Sequence, residues 1–247
     1  MSRVLVPLPD HDFDTTEVAV PWKILKDEGH DVVFATESGA KAATDPLLLK
    51  GVLFGQLGAA PEPKAFYAAL ENDARFDNPI TWRTIVPEEY DALLLPGGHA
   101  PGMRQYLGST LLQGKISEFW VLQRPVAAIC HGVLVLARSL DPATGKSVLA
   151  KSKTTCLPKY MERTAYFLTA WKLGSYYRTY PEYVEDEVKA LLDDPRTQLV
   201  RGPRTLTERG TSIDHSAAFV VEDGRYISAR WPGDAYLFGA KLAERIR

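Results

Sequence analysis

Residues 126–137 contain the side chains of this sequence that are best suited to take part in a reaction. An apolar run too short for a helix ends at Cys130-His131-Gly132, and a second apolar run follows at once. This pattern is typical of a buried strand, a sharp turn and a helix start, with a thiol at the turn. The first amides of such a helix would point at whatever sits above the sulfur. A helix N-terminus also favours the thiolate, so the pattern predicts a reactive Cys130 with a pKa below about 8.5; the alternative is an inert core cysteine.

A glycine pair marks a second turn that could take part in binding or catalysis. The strand pattern at residues 91–95 is followed by Pro96, Gly97, Gly98 and His99. Two glycines after a strand allow a tight turn that presents backbone amides. Because the carboxyl ends of parallel strands meet at one edge of a sheet, we expect this turn to lie beside Cys130.

The rest of the chain alternates between strand and helix patterns. Strands are predicted at residues 3–8, 31–36, 91–95, 126–129, 152–156, 198–201, 217–222 and 226–229. Helices are predicted from Thr15 to Gly29 and at residues 63–72, 111–123, 133–140, 160–173, 182–192 and 235–246. Residues 37–62 are expected to form a loop near the site, with short helices at most. We therefore expect one α/β domain over residues 1–247, a three-layer α/β/α sandwich with a flavodoxin-like, mostly parallel sheet, ending in a hairpin at 222–225.

Composition narrows the classes of function. The net charge of −2 over 247 residues gives no reason to expect a nucleic-acid partner, and no apolar run approaches a membrane span. The first residues lack the apolar core of a secretion signal, and two cysteines make no disulfide framework, so we expect a reducing cytoplasm. The five histidines occur in no HxH or HExxH motif, so we expect no metal and no cofactor.

Taken together, these features resemble the ThiJ/PfpI superfamily, which has the class I glutamine-amidotransferase-like fold. The resemblance covers nearly the whole chain. It depends on the Gly97-Gly98 turn, on the elbow at residues 128–132 and on Glu17, an acid early in the first helix. It implies that Glu17 lies beside the sulfur of Cys130, where a carboxyl could hydrogen-bond the thiolate or shuttle a proton. Without the resemblance, Glu17 is explained as an acid that stabilises a helix start.

Within the superfamily, the chain looks most like the branch of heat-shock chaperones and glutathione-independent glyoxalases III. That branch places a triad acid in a Pro-containing turn about thirty residues after the elbow, and the matching residue here is Glu162. The resemblance thus implies a triad of Cys130 as nucleophile, His131 as base and Glu162 as the acid that orients His131. Val133 stands where the branch usually has Pro, and Lys159 lies in the acid turn.

The resemblance also implies that the turn after the strand at residues 91–95 binds substrate through Gly97, Gly98 and His99. The amides of Gly98 and His131 would stabilise an oxyanion.

The reaction that the resemblance implies is the conversion of a small dicarbonyl such as methylglyoxal to D-lactate, or removal of such a carbonyl from proteins or nucleotides, without glutathione. It also implies a homodimer. Two alternatives remain: a cysteine amidase or peptidase with the same triad, and a chaperone or oxidation sensor that is not an enzyme. A glutaminase is disfavoured because its late His-x-Glu is matched here only by His215-Ser216-Ala217.

Overall fold

The structure of the protein, a computed structural model, describes residues 1–52, 57–205 and 207–247. The strands are β1 (Arg3–Pro7), β2 (His11–Phe13), β3 (Asp31–Thr36), β4 (Ala43–Thr44), β5 (Ile80–Thr81), β6 (Ala92–Leu95), β7 (Val126–Ile129), β8 (Val220–Asp223) and β9 (Tyr226–Ala229). The α-helices are α1 (Thr15–Asp27), α2 (Pro46–Lys50), α3 (Pro61–Leu70), α4 (Ala74–Asp77), α5 (Met103–Gly108), α6 (Thr110–Val121), α7 (Val133–Arg138), α8 (Lys159–Leu173), α9 (Val184–Leu191), α10 (Pro195–Gln198) and α11 (Ala235–Arg245). Short 3₁₀ helices lie at Trp82–Thr84, Pro87–Glu89, Cys130–Gly132 and Pro232–Asp234.

Seven strands form one sheet in the order β5-β3-β1-β6-β7-β9-β8, and β2 pairs with β4 in a small second sheet. Within the seven-stranded sheet, neighbours run parallel except for the β8–β9 hairpin. The two central strands β6 and β7 are buried along their whole length, as expected when helices cover both faces of a parallel sheet. The predicted three-layer α/β fold is therefore confirmed.

The helices form the two outer layers. On one side α1 packs against α3 and α11, and α11 contacts β7 and β9. On the other side α7 contacts β7 and packs against α5, α6 and α9. Since strand β7 is covered by a helix on each face, the turn that leaves it is held from both sides.

Most predicted elements occur within a few residues of their expected positions, but two strands are wrong. Residues 152–156 and 198–201 meet only in a single bridge between Thr154 and Leu199. Gln198 ends helix α10, and its side-chain amide donates to the carbonyls of Ala150 and Ser152. A side chain thus makes hydrogen bonds that a strand partner would otherwise make. Of the predicted loop at residues 37–62, residues 53–56 lie outside the described part of the chain, and the rest includes β4, α2 and the start of α3.

Among the described residues, no helix combines the length and the apolar character that crossing a membrane requires.

Candidate active site

The site lies where the chain changes direction across the sheet. Strand β1 pairs with β3 on one side and with β6 on the other, so the loops after β1 and β6 leave in opposite directions. A crevice at such a switch point, beyond the carboxyl ends of the strands, is the usual ligand site of open α/β sheets. Leu95 of β6 pairs with Ala128 of β7, so the turns that follow these two strands are neighbours.

Cys130 occupies a strained elbow directly after β7. Its φ is +58°, the left-handed region that side-chain-bearing residues rarely adopt and that costs about 1–3 kcal/mol. A Cβ on Gly132 would lie 2.2 Å from the carbonyl oxygen of Leu95, so only glycine fits at that position. The sharp turn brings the side chains of two adjacent residues together: Cys130 Sγ lies 3.5 Å from His131 Nδ1. The predicted elbow geometry is present.

Gly97 connects the second turn to the start of helix α1. Its carbonyl accepts from the Asp14 amide at 2.9 Å, and its own amide donates to Glu17 Oε2 at 2.8 Å. Asp14 also caps α1 by accepting from the amides of Thr16 and Glu17. A Cβ on Gly97 would meet Glu17 Oε2 at 2.9 Å and Cys130 Cβ at 3.0 Å. The chain therefore brings Glu17 and Cys130 together around a position without a side chain.

The backbone amide of Gly97 already donates to Glu17, so this amide is not free to bind substrate as predicted. Gly98 has a φ of +157°, and a Cβ there would lie 2.9 Å from the Asp12 carbonyl oxygen and 3.0 Å from the Asp14 amide nitrogen. The amide of His131 stabilises the Cys130 thiolate and so lowers the pKa of that thiol, against larger opposing effects. Oxyanion binding by the amides of Gly98 and His131 remains a prediction.

A threonine that sequence reasoning missed is the hydrogen-bond partner of His131. The hydroxyl of Thr179 donates to the carbonyl of His99 at 2.7 Å and lies 3.5 Å from His131 Nε2. Because the single hydroxyl proton is used on His99, the Thr179 oxygen accepts from Nε2–H of His131. The neutral imidazole then carries its lone pair on Nδ1, which faces the sulfur of Cys130. A lone threonine in a tyrosine-rich loop gives no sequence signal for this role.

Glu162, the predicted orienter, lies elsewhere. Its Oε2 accepts from the Val184 amide at 3.1 Å, and its Oε1 lies 3.6 Å from Arg178 Nη1. Within the described residues it makes no hydrogen bond to His131. The expected direct pair is therefore not observed, and Thr179 occupies the position in its place. Burial raises the pKa of Glu162 to about 7, against the lowering effects of the Val184 amide and Arg178.

Of the two acids near the sulfur, Glu17 is the one that favours its neutral form. Burial first, and the charge of Asp14 second, raise the pKa of Glu17 well above its usual range. Burial also raises the pKa of Asp14 to about 6. For Cys130, burial and the nearby Glu17 raise the pKa of the thiol, which is opposite to the lowering predicted from the helix N-terminus. The helix is real, but desolvation of a fully buried sulfur outweighs it.

The imidazoles are neutral as well. Burial lowers the pKa of His99 to about 4, and burial with the neighbouring His99 lowers the pKa of His131 well below its usual range. The two rings lie edge to face with centroids 4.9 Å apart, and Tyr177 packs edge-on against His99 at 5.7 Å. The hydroxyl of Tyr177 is buried and has no hydrogen-bond partner among the described residues. His99 thus lies beside His131 and Tyr177, and its role in binding substrate stays a prediction.

The sequence contains no local metal motif, but the fold brings three potential metal ligands together. His99, Cys130 and His131 each offer one donor atom, and the three atoms lie within 4.8 Å of one another. His99 comes from the turn after β6, and Cys130 and His131 come from the turn after β7. A motif defined by spacing within one segment cannot detect such a cluster.

The fold and the site define an α/β protein with a cysteine at a strand–helix elbow, a histidine beside it and an acid from the first helix. The chain belongs to the ThiJ/PfpI-like family, whose model matches residues 8–203. It is 31% identical to a deglycase of Pyrococcus horikoshii over 97% of each chain. It is 26% identical to a glutathione-independent glyoxalase of Schizosaccharomyces pombe over 58% of this chain and 59% of that one.

Solved structures with the same architecture include glyoxalase III from Candida albicans. The match has a TM-score of 0.70 at 20% identity and covers 100% of this chain and 98% of that one. At that identity the likeness shows the shared fold.

Proposed function

We propose that this protein is a cysteine-dependent enzyme that acts on small dicarbonyls such as methylglyoxal, without glutathione. The carrying observation is the buried arrangement of Cys130 Sγ between a free lone pair on His131 Nδ1 and the carboxyl of Glu17. Similarity to proteins named deglycase and glutathione-independent glyoxalase supports the same class of substrate.

The reaction begins with attack of the Cys130 sulfur on the aldehyde carbon. The C–S bond forms as the S–H bond breaks, His131 Nδ1 takes the thiol proton, and the neutral carboxyl of Glu17 gives its proton to the aldehyde oxygen. Glu17, now a carboxylate, moves the C1 proton to C2 through an enediol, while His131 gives its proton to the C2 oxygen and then takes the proton of the C1 oxygen, which leaves a thioester. Water cleaves the thioester: its hydroxyl joins C1, its proton returns to the Cys130 sulfur, and the proton on His131 returns to Glu17. Methylglyoxal plus water thus yields lactic acid, and the redox change stays within the substrate.

Glu162 supports this chemistry indirectly. It binds Arg178 and the Val184 amide, so it holds both ends of the segment that contains Thr179. Thr179 in turn orients His131. Glu162 is therefore proposed as a positioning residue for the base.

The full burial of Cys130 and His131 favours a compact substrate over a peptide chain. This favours dicarbonyl chemistry over the peptidase alternative.

The deciding experiment measures D-lactate formed from methylglyoxal without glutathione. We expect turnover by the wild type and by Cys156→Ala, which removes the other buried cysteine, and none by Cys130→Ala. Lactate formed from a pre-formed arginine adduct, supplied after free methylglyoxal has been removed, distinguishes deglycase from glyoxalase activity. Cleavage of amides or casein without dicarbonyl turnover would instead assign the elbow to a hydrolase.

The homodimer implied by the resemblance and the cytoplasmic location expected from the cysteine count stay predictions. Light scattering of the purified chain at several concentrations tests the dimer directly.

A further inference from the structure

Three potential metal donors meet at the elbow, from two separate turns. The donor atoms of His99, Cys130 and His131 lie within 4.8 Å of one another. Zinc binds thiolate at about 2.3 Å and imidazole at about 2.0–2.1 Å, so a tetrahedral site separates sulfur from nitrogen by about 3.5 Å. Cys130 Sγ and His131 Nδ1 are 3.5 Å apart before any metal is considered. The first edge of a zinc tetrahedron is therefore already present.

The surroundings orient these donors in the way that outer partners orient metal ligands. Thr179 accepts from His131 Nε2 and leaves the Nδ1 lone pair directed at the sulfur. The same hydroxyl donates to the backbone carbonyl of His99, so it also holds the turn that carries His99. Its contact with Nε2 fixes the tautomer and the ring orientation of His131, as outer partners do for histidine ligands.

We propose that Cys130, His131 and His99 form a zinc site, and that zinc bound there blocks the thiol. Binding breaks the S–H bond of Cys130, forms a Zn–S bond and releases one proton to solvent. Three protein donors leave the fourth position to water, the arrangement of an open zinc site. Because the metal occupies the sulfur and the lone pair of the base together, zinc acts as an inhibitor here, whereas turnover itself proceeds without metal.

The test titrates zinc into the purified full-length chain in competition with a chromophoric chelator. We expect one zinc ion per chain for the wild type and for Cys156→Ser, in which the other buried cysteine is changed. Cys130→Ser and His99→Ala should weaken binding by more than about 100-fold, since even outer partners of metal ligands are worth about 10–100-fold. His215→Ala, a histidine outside the cluster, is the matched control and should bind as the wild type does.

Three further readouts use the wild type alone, in case a variant fails to fold. Cobalt should give a thiolate-to-cobalt charge-transfer band, and zinc should slow carbamidomethylation of Cys130 relative to Cys156 in peptide mapping. Calorimetry in buffers of different ionisation enthalpy should show release of one proton per zinc.

Wild-type binding that Cys130→Ser or His99→Ala leaves intact would overturn the proposal, as would a stoichiometry that follows Cys156. These binding measurements require no substrate, so they stand even if the dicarbonyl reaction is not found. If that reaction is found, zinc should abolish it and EDTA should restore it, while EDTA alone should cause no loss.

Discussion

Thr179 decides which nitrogen of His131 faces the cysteine. Thr179→Val removes the acceptor for Nε2–H, so the imidazole loses the partner that keeps its lone pair on Nδ1. General-base catalysis is worth about 10²–10⁴-fold, and we expect kcat to fall by about 100-fold. Thr179→Ser keeps the hydroxyl and should retain most of the activity. Equal kcat values and pH profiles for the Val and Ser variants would remove Thr179 from the mechanism.

We expect the titration of Cys130 to depend on its neighbour Glu17. Because burial and Glu17 raise the pKa of the thiol, iodoacetamide should label wild-type Cys130 more slowly at pH 7 than it labels a small free thiol. Glu17→Gln removes the acid that raises this pKa, so the midpoint of labelling should move to lower pH. The same variant should form an adduct at Cys130, visible by mass spectrometry, yet lose about 100-fold in turnover. Unchanged labelling would show that the two groups do not interact.

At the scale of elements, the site depends on how closely the turn after β6 approaches the elbow after β7. Gly97→Ala would place a Cβ 2.7 Å from the His131 amide nitrogen, against backbone that has no room to move. We expect this variant to lose most of its activity, because Glu17 and Cys130 would be pushed apart. Circular dichroism and turnover measured together distinguish a displaced site from an unfolded chain.

Gly114→Ala is the matched control for that prediction. Gly114 lies in helix α6, with nothing within 4 Å of an added Cβ. Alanine there should stabilise the protein by about 0.5–1 kcal/mol and leave turnover unchanged. Full activity of Gly97→Ala would contradict the close approach of the two turns.

At the scale of the whole molecule, buried acids make stability depend on pH. The pKa of Glu162 is about 7 in the folded chain, above its ordinary 4.5, so the folded state favours the protonated form. The stabilisation from this group is complete below pH 4.5 and is lost as the pH rises through 7. The loss amounts to at most about 3 kcal/mol. Asp14, with a pKa of about 6, acts in the same direction over a lower range.

Glu162→Gln isolates the contribution of Glu162. The amide oxygen can still accept from the Val184 amide, but the side chain no longer titrates. Urea unfolding at pH 5 and pH 7.5 should show a smaller fall in the free energy of unfolding for the variant than for the wild type. Equal falls for the two proteins would mean that Glu162 keeps an ordinary pKa in the folded chain.

Local sequence patterns were enough to predict the fold class and the elbow of this protein. The alternation of buried strands and amphipathic helices established the α/β class, since each pattern depends only on neighbouring residues. The run through Cys130 and Gly132 indicated the elbow for the same reason. The false strands at 152–156 and 198–201 show the limit of such patterns, because Gln198 satisfies that backbone through its side chain.

Contacts between distant segments were decided only by the tertiary structure. Nothing near His131 in the sequence indicates that Thr179 orients it, nor that Glu162 binds Arg178 instead. The direction of the Cys130 pKa was misjudged because a helix N-terminus is visible in sequence, whereas burial depends on everything packed around the sulfur. His99 joins the elbow for a similar reason: two strands 30 residues apart in the chain end side by side, and only their pairing places its imidazole against Cys130 and His131.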